Sequence, residues 1–257
     1  MLLIDATIPT LLALGYNINF SKLNKWFKAL RSVGVTRIRK PSEPAVALET
    51  LHGLDGVLSG DYAAIFRRLR RLEPLEVAFG DSKGQATALA ISWLEEGGSG
   101  VIATLTGIGS FPALERLRVF LHLSGWSPLP ESSQSFAQIR EIYESLSGQK
   151  LPLFEPVLGR GLFVGESGVH VDGWLKDPSL YEPFPPNLVG AKRALAIGRH
   201  SGQGALRLKC WELGFKYPQE KLADLLALAR QKATELERSL TDSEFATLAQ
   251  EGLGGLG

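Results

Sequence analysis

Leu75-Glu-Val-Ala-Phe-Gly-Asp-Ser-Lys-Gly-Gln-Ala-Thr-Ala-Leu-Ala-Ile-Ser-Trp-Leu-Glu-Glu-Gly-Gly-Ser-Gly-Val-Ile-Ala-Thr-Leu105 reads as strand, helix, strand. Two short apolar runs, Leu75–Phe79 and Val101–Leu105, flank a helix from Ala86 to Glu96. A strand followed by a helix and a second strand is the unit of a parallel sheet. The same alternation extends outward. Leu2–Asp5 reads as a strand and Phe20–Val33 as a helix, with Ser21 as N-cap and Gly34 as stop. Thr36–Arg39 follows as a strand, Pro44–His52 as a short helix, Asp55–Ser59 as a strand and Tyr62–Leu72 as a helix, and Pro112–Ser124 closes this half with a helix. Five strands are countable where a closed barrel of alternating strands and helices needs eight.

Composition narrows the class. The 257 residues are 44% hydrophobic and carry 28 basic against 27 acidic side chains, which leaves no overall electrostatic footprint for nucleic acid. The run Arg67-Arg68-Leu-Arg70-Arg71 reads as a solvated helix face. A single cysteine, Cys210, excludes an internal disulfide and a cysteine-rich zinc site, and it suits a reducing cytoplasm. The start Met-Leu-Leu-Ile-Asp and the lack of long apolar windows point to neither export nor membrane insertion.

The chemistry-bearing stretch is Glu166-Ser-Gly-Val-His-Val-Asp-Gly-Trp-Leu-Lys-Asp-Pro-Ser-Leu-Tyr181-Glu-Pro-Phe184. It sets His170 and Tyr181 eleven positions apart in a chain with four histidines. His170 follows a flexible Ser-Gly pair, and Tyr181 sits between Pro178 and Pro183. An imidazole near pKa ~6.5 and a phenol near ~10 suit proton transfer at a carbon beside a carbonyl. The structural alternative is a buried histidine and a tyrosine closing a loop. Arg199-His200-Ser201-Gly202 opens a helix whose free N–H groups could hold a phosphate, and a plain capped helix start is the alternative there. Asp172, Lys176 and Arg160 read as solvated surface.

The run from Gly165 to Phe184, with Leu188-Val-Gly and Leu195-Ala-Ile-Gly-Arg-His-Ser-Gly202, resembles the post-barrel region of homocitrate synthases, relatives of the isopropylmalate synthases. Their pattern reads approximately H-E-S-G-I-H-x-D-G-I-L-K-N-P-x-T-Y-E-P-F, then L-V-G and L-G-K-H-S-G. One departure stands at its start, where the family's first His is Gly165. The resemblance implies that His170 and Tyr181 sit on a lid and take part in deprotonating the methyl group of acetyl-CoA.

The barrel half departs further. The family's strand-one motif D-T-T-L-R-D-G-E falls on Asp5-Ala-Thr-Ile-Pro-Thr-Leu-Leu12, so its Arg is Pro9, its metal-binding Asp is Thr10 and its Glu is Leu12. The two metal-binding His of strand seven are Ala78 and Gly80, and the strand-eight tail E-R-x-G-N is missing after Thr104–Gly109. Asp55–Leu72 resembles the sixth strand and helix, which places a deletion between strands two and six. Alanine, glycine and threonine cannot supply a carboxylate and imidazole ligand set, so no metal site is expected in this chain, and Glu76 and Asp81 read as solvent or loop acids. The expected fold is α/β: a truncated, incomplete TIM-type barrel over 1–126, then a mostly helical linker and lid over 127–257. In the latter, helices are expected at Ser132–Ser147, Ser201–Leu213, Gln219–Ser239 and Asp242–Gln250, with Thr241 or Asp242 as the last N-cap and Arg193–Ile197 extended.

Together these features resemble the omega-type subunit of a split homocitrate synthase. The implied partner is a catalytic, alpha-type subunit that holds the divalent metal, with acetyl-CoA and 2-oxoglutarate at a shared site. This chain alone would be inactive and would bind no cofactor, nucleic acid or membrane. In that setting homocitrate serves nitrogenase cofactor synthesis. A non-catalytic scaffolding or regulatory pseudoenzyme is the alternative, and isopropylmalate and citramalate chemistry stay open. The unpaired edges of a five-stranded sheet imply an obligate oligomer.

Overall fold

The computed structural model describes every residue except 47–50, 54–60, 73–74, 130–134, 167–172, 175 and 255–257. The chain divides into two compact units, Met1–Gly159 and Arg160–Gly257.

The first unit is built on a five-stranded parallel sheet of β1 (Leu2–Asp5), β2 (Arg37–Ile38), β3 (Leu51–Gly53), β4 (Glu76–Phe79) and β5 (Gly100–Ala103), in the order β2-β1-β5-β4-β3. Its helices are α1 (Thr7–Ala13), α2 (Leu23–Ser32), α3 (Tyr62–Leu69), α4 (Ala86–Glu95), α5 (Leu114–Leu123) and α6 (Ser135–Ser147). Strand alternation sorts the side chains onto two faces. Leu3, Val77, Phe79 and Val101 join the helix side, where Phe66 of α3 packs edge-on against both Phe79 and Trp93 at 5.6 and 5.8 Å. Ile4, Ala6, Ala78 and Ile102 form a smaller cluster on the other face, covered by Leu2, Ala45, Val46 and Phe111.

Several local readings change. Asn19, rather than Ser21, caps the α2 region: its side chain accepts from the Ser21 N–H at 3.2 Å and the Ser21 hydroxyl at 2.7 Å. The expected helix Pro44–His52 is overturned at its end, because Leu51–Gly53 pairs with β4, Leu51 opposite Val77 and Gly53 opposite Phe79. Sheet pairing overrides the local helical reading. The expected strand Asp55–Ser59 lies outside the described residues. Thr7–Ala13, read as a motif segment with no element assigned, is a helix. Helix α6 belongs to the first unit: Phe136, Ile139, Tyr143 and Leu146 are buried, α6 packs on α2, and the division falls at 159/160 rather than at 126.

In the second unit, β6 (Val164–Gly165) and β7 (Ala194–Leu195) pair in parallel, and α7 (Gln203–Glu212), α8 (Leu222–Glu235) and α9 (Asp242–Gly254) enclose a core of Ile197, Leu206, Cys210, Leu225, Ala229 and Phe245. Thr241 begins α9 through a reciprocal capping box. Its hydroxyl accepts from the Glu244 N–H at 3.3 Å while Glu244 Oε2 accepts from the Thr241 N–H at 2.8 Å. Among the described residues no helix is long and apolar enough to cross a membrane.

Candidate functional site

The segment singled out for its chemistry, Glu166–Phe184, lies in the 28-residue excursion between β6 and β7, residues 166–193. His170 and Asp172 lie outside the described residues. Tyr181 is described: it ends a 3-10 turn, Pro178–Leu180, whose start is capped by Asp177 accepting from the Ser179 N–H at 3.0 Å. The ring of Tyr181 lies against Gly173, where an added Cβ would fall 2.3 Å from the ring, and the residue remains 44% exposed. Gly173 is therefore the seat of Tyr181, and any side chain there must push the phenol away. Glu182 follows at once and grips Arg193 at the base of β7 with two bonds of 2.6 and 2.7 Å. Phe184 packs edge-on against Phe163 at 5.8 Å. The tyrosine thus projects from a turn whose return limb is tied to the small sheet.

Gly165 receives a structural reason. A Cβ at this position would sit 2.3 Å from the Trp174 ring, so the indole occupies the space a side chain would take. The resembled pattern has a His and an Ile at the positions that Gly165 and Trp174 take in this chain. The exchange conserves volume across two positions. Trp174 also lines an apolar cleft of about 310 Å³ with Leu195, Leu208 and Trp211.

Glu166, to which the sequence reading gave no role, organises the root of the excursion. Its Oε1 accepts from the His200 N–H at 2.8 Å, its Oε2 from the Ser239 hydroxyl at 2.7 Å, and its carbonyl from the Ser201 hydroxyl at 3.0 Å. Ser201 is fully buried, its oxygen accepts from the Gly198 N–H at 2.9 Å, and Arg230 donates twice to its carbonyl at 2.9 and 2.6 Å. The Glu166 carboxylate thus meets the N–H of His200, two residues ahead of Gly202, the N-cap of α7. The imidazole of His200 belongs to an exposed residue. The signal for Glu166 was its place in the Glu-Ser-Gly run; its partner Ser239, 73 positions away, leaves no local trace.

The positions carried over from the metal-binding motifs sit in the first unit. Thr10 is buried on α1 and spends its hydroxyl proton on the Ala6 carbonyl at 2.7 Å. Ala78 is buried and Gly80 has no side chain. These three do not fit a divalent ion. Asp81 caps α4, accepting from the Ala86 N–H at 2.7 Å. Glu76 corrects its reading as a solvent acid, since it is bonded at 2.8 Å by both Arg37 and Arg39.

Two buried carboxyls flank the end of β5. Asp5 accepts from the Thr7 N–H and hydroxyl and from Trp26 Nε1, and burial raises its pKa from 3.8 to about 6. Glu115 accepts from the Thr106 N–H at 2.9 Å, and burial raises its pKa from 4.5 to about 7. Thr7 passes the first interaction on, its hydroxyl accepting from the Leu105 N–H at 2.9 Å. Consecutive amides, Leu105 and Thr106, are thereby held by side chains that lead to the two acids.

Residues 157–246 match the family described as "Homocitrate synthase post-HMGL domain-like". The chain is 36% identical over 171 residues to 2-isopropylmalate synthase 2 of Caldanaerobacter subterraneus subsp. tengcongensis, covering 65% of this chain and 44% of that protein. It is 31% identical over 166 residues to "Homocitrate synthase, omega subunit" of Clostridium pasteurianum, covering 65% and 47%. Against a homocitrate synthase of Frankia it is 32% identical over 229 residues, covering 87% and 54%. The chain spans about half or less of the length of each of these relatives.

Proposed function

We propose that this chain, whose residues 157–246 match the homocitrate synthase post-HMGL domain-like family and which is similar to homocitrate and isopropylmalate synthases, is the omega-like subunit of a split homocitrate synthase. It acts with a barrel-bearing, alpha-type subunit that holds the metal and 2-oxoglutarate. This chain brings His170 and Tyr181 to the shared site in trans, as the resemblance implies.

One observation carries the reading: the post-barrel region and its His–Tyr spacing are kept, while Pro9, Thr10, Leu12, Ala78 and Gly80 stand where the motif's Arg, ligands and acid would be. The sheet order supports a barrel remnant. In a chain of successive parallel strands curling into a barrel, the last strand returns to pair with the first, and β5 pairs with β1 along its whole length. Removal of strands three to five from such a barrel leaves the order 2-1-8-7-6, which in this chain's own numbering is β2-β1-β5-β4-β3.

In the proposed reaction His170 takes a proton from the methyl carbon of acetyl-CoA. The resulting enolate forms a carbon–carbon bond to the keto carbon of 2-oxoglutarate, whose oxygen takes up the charge and then a proton. Water then cleaves the thioester, releasing CoA and homocitrate. The metal, when bound by the partner subunit, polarises the oxo acid. Tyr181, held by Gly173 and by the turn locked through Glu182 and Arg193, positions a phenolic proton beside the enolate oxygen. An add-back assay tests the proposal: the barrel-bearing subunit alone should form homocitrate slowly, and stoichiometric addition of this chain should raise the rate. An unchanged rate in a complex that assembles would favour the scaffolding alternative.

A further inference from the structure

Between Ala6 and Ser42 the chain has seven basic residues and no acidic one. Arg37 and Arg39 are spent on Glu76. Lys22, Lys25, Lys28 and Arg31, spaced by three along the α2 region, have no ion-pair partner among the described residues. Lys25, Lys28 and Ser32 form one wall of a groove of about 510 Å³ whose other wall is α6, with Glu141, and whose floor includes Ala29 and Ile142. No nitrogen of Lys25 or Lys28 comes within 4.0 Å of a Glu141 oxygen, so among the described residues the cationic wall is uncompensated.

We infer that this α2–α6 groove is a docking surface for a protein segment that lays an apolar side chain on Ala29 and Ile142 and carboxylates against Lys25 and Lys28, and that the segment belongs to the barrel-bearing subunit. The inference rests on the split-enzyme reading for its partner. Charge complementarity names the occupant. A wall of one sign calls for an acidic edge, while Glu141 opposite repels a bare polyanion and suits a segment that turns a neutral or basic flank to it. A nucleic acid or an anionic membrane would meet that carboxylate with like charge.

The test is sedimentation or calorimetry of the intact chain with the barrel-bearing subunit at low and high salt, alongside homocitrate turnover. Lys25→Glu with Lys28→Glu should weaken binding by about tenfold or more at low salt. Lys28→Gln should lie between, and wild-type affinity should fall as salt rises. Arg68→Glu, an exposed reversal on α3, should bind as wild type, and unchanged circular dichroism secures the fold of each variant. Wild-type affinity in the double variant, or equal weakening by Arg68→Glu, overturns the docking surface while leaving a His170-dependent complex intact. Failure of the wild-type chains to associate overturns both proposals, and tighter binding of polyuridine or anionic vesicles than of the subunit overturns the assigned occupant.

Discussion

Arg39 Nη2 of the β2 end stands 2.8 Å from Glu76 Oε2 at the start of β4, with β1 and β5 lying between them in the sheet. Three interstrand spacings of a flat sheet amount to about 14 Å, more than two opposed side chains close comfortably with a 2.8 Å bond. Both residues lie on the face that carries Ile4 and Ala78, so the sheet curls toward that face. The same Glu76 is bonded by Arg37, which makes the pair a two-armed tie across a concave surface.

Glu76→Ala should therefore cost stability. Arg39 is only 2% exposed, and loss of the carboxylate leaves its charge buried without a counter-ion among the described residues. The cost should be about 2 kcal/mol, below the usual range for fully buried pairs because Glu76 is 25% exposed. Urea denaturation measures it, and Arg39→Met combined with Glu76→Leu should recover most of the loss. A midpoint unchanged in Glu76→Ala contradicts the tie.

Asp5 and Glu115 set a pH dependence of defined sign. Burial raises them from 3.8 to about 6 and from 4.5 to about 7, so the folded state binds more protons than the unfolded one between roughly pH 4 and 7. Their contribution is full below the unfolded values and is lost as pH rises through the folded ones. Asp5→Asn and Glu115→Gln should each flatten the fall in stability between pH 5 and 7.5, by about 1–3 kcal/mol. Denaturation midpoints across that range check this, and a steeper fall in the variants contradicts it.

Gly165 and Trp174 should behave as a coupled pair. Gly165→His alone forces a side chain into the space of the indole and should destabilise the second unit by about 1–3 kcal/mol. Joined to Trp174→Ile, it should lose much of that cost. A double-mutant cycle on thermal unfolding reads the coupling, and additive losses would remove the volume-exchange explanation.

How much of this was legible in the sequence depends on where each constraint resides. The Leu75–Leu105 strand–helix–strand unit carries its own periodicity, and both strands and α4 stand within two residues of their expected bounds. Leu51–Gly53 took its conformation from β4, a neighbour 23 or more residues on, and no local pattern could reveal that. Thr7–Ala13 hid its helix behind a motif alignment that drew attention to the residues lost. In the excursion, the identities of His170 and Tyr181 were readable, but the seat at Gly173 and the Glu166 network depend on contacts made after folding.

The central claim is that His170 and Tyr181 act chemically on a substrate held by another subunit. The measurement is homocitrate formation by the reconstituted complex with His170→Ala or Tyr181→Phe, at concentrations where sedimentation shows full assembly. His170→Ala should lower turnover by about 10²–10⁴-fold, the usual contribution of a general base, and Tyr181→Phe should also slow it with little loss of stability. Wild-type turnover with both variants in a fully assembled complex would contradict the claim and leave this chain a scaffold.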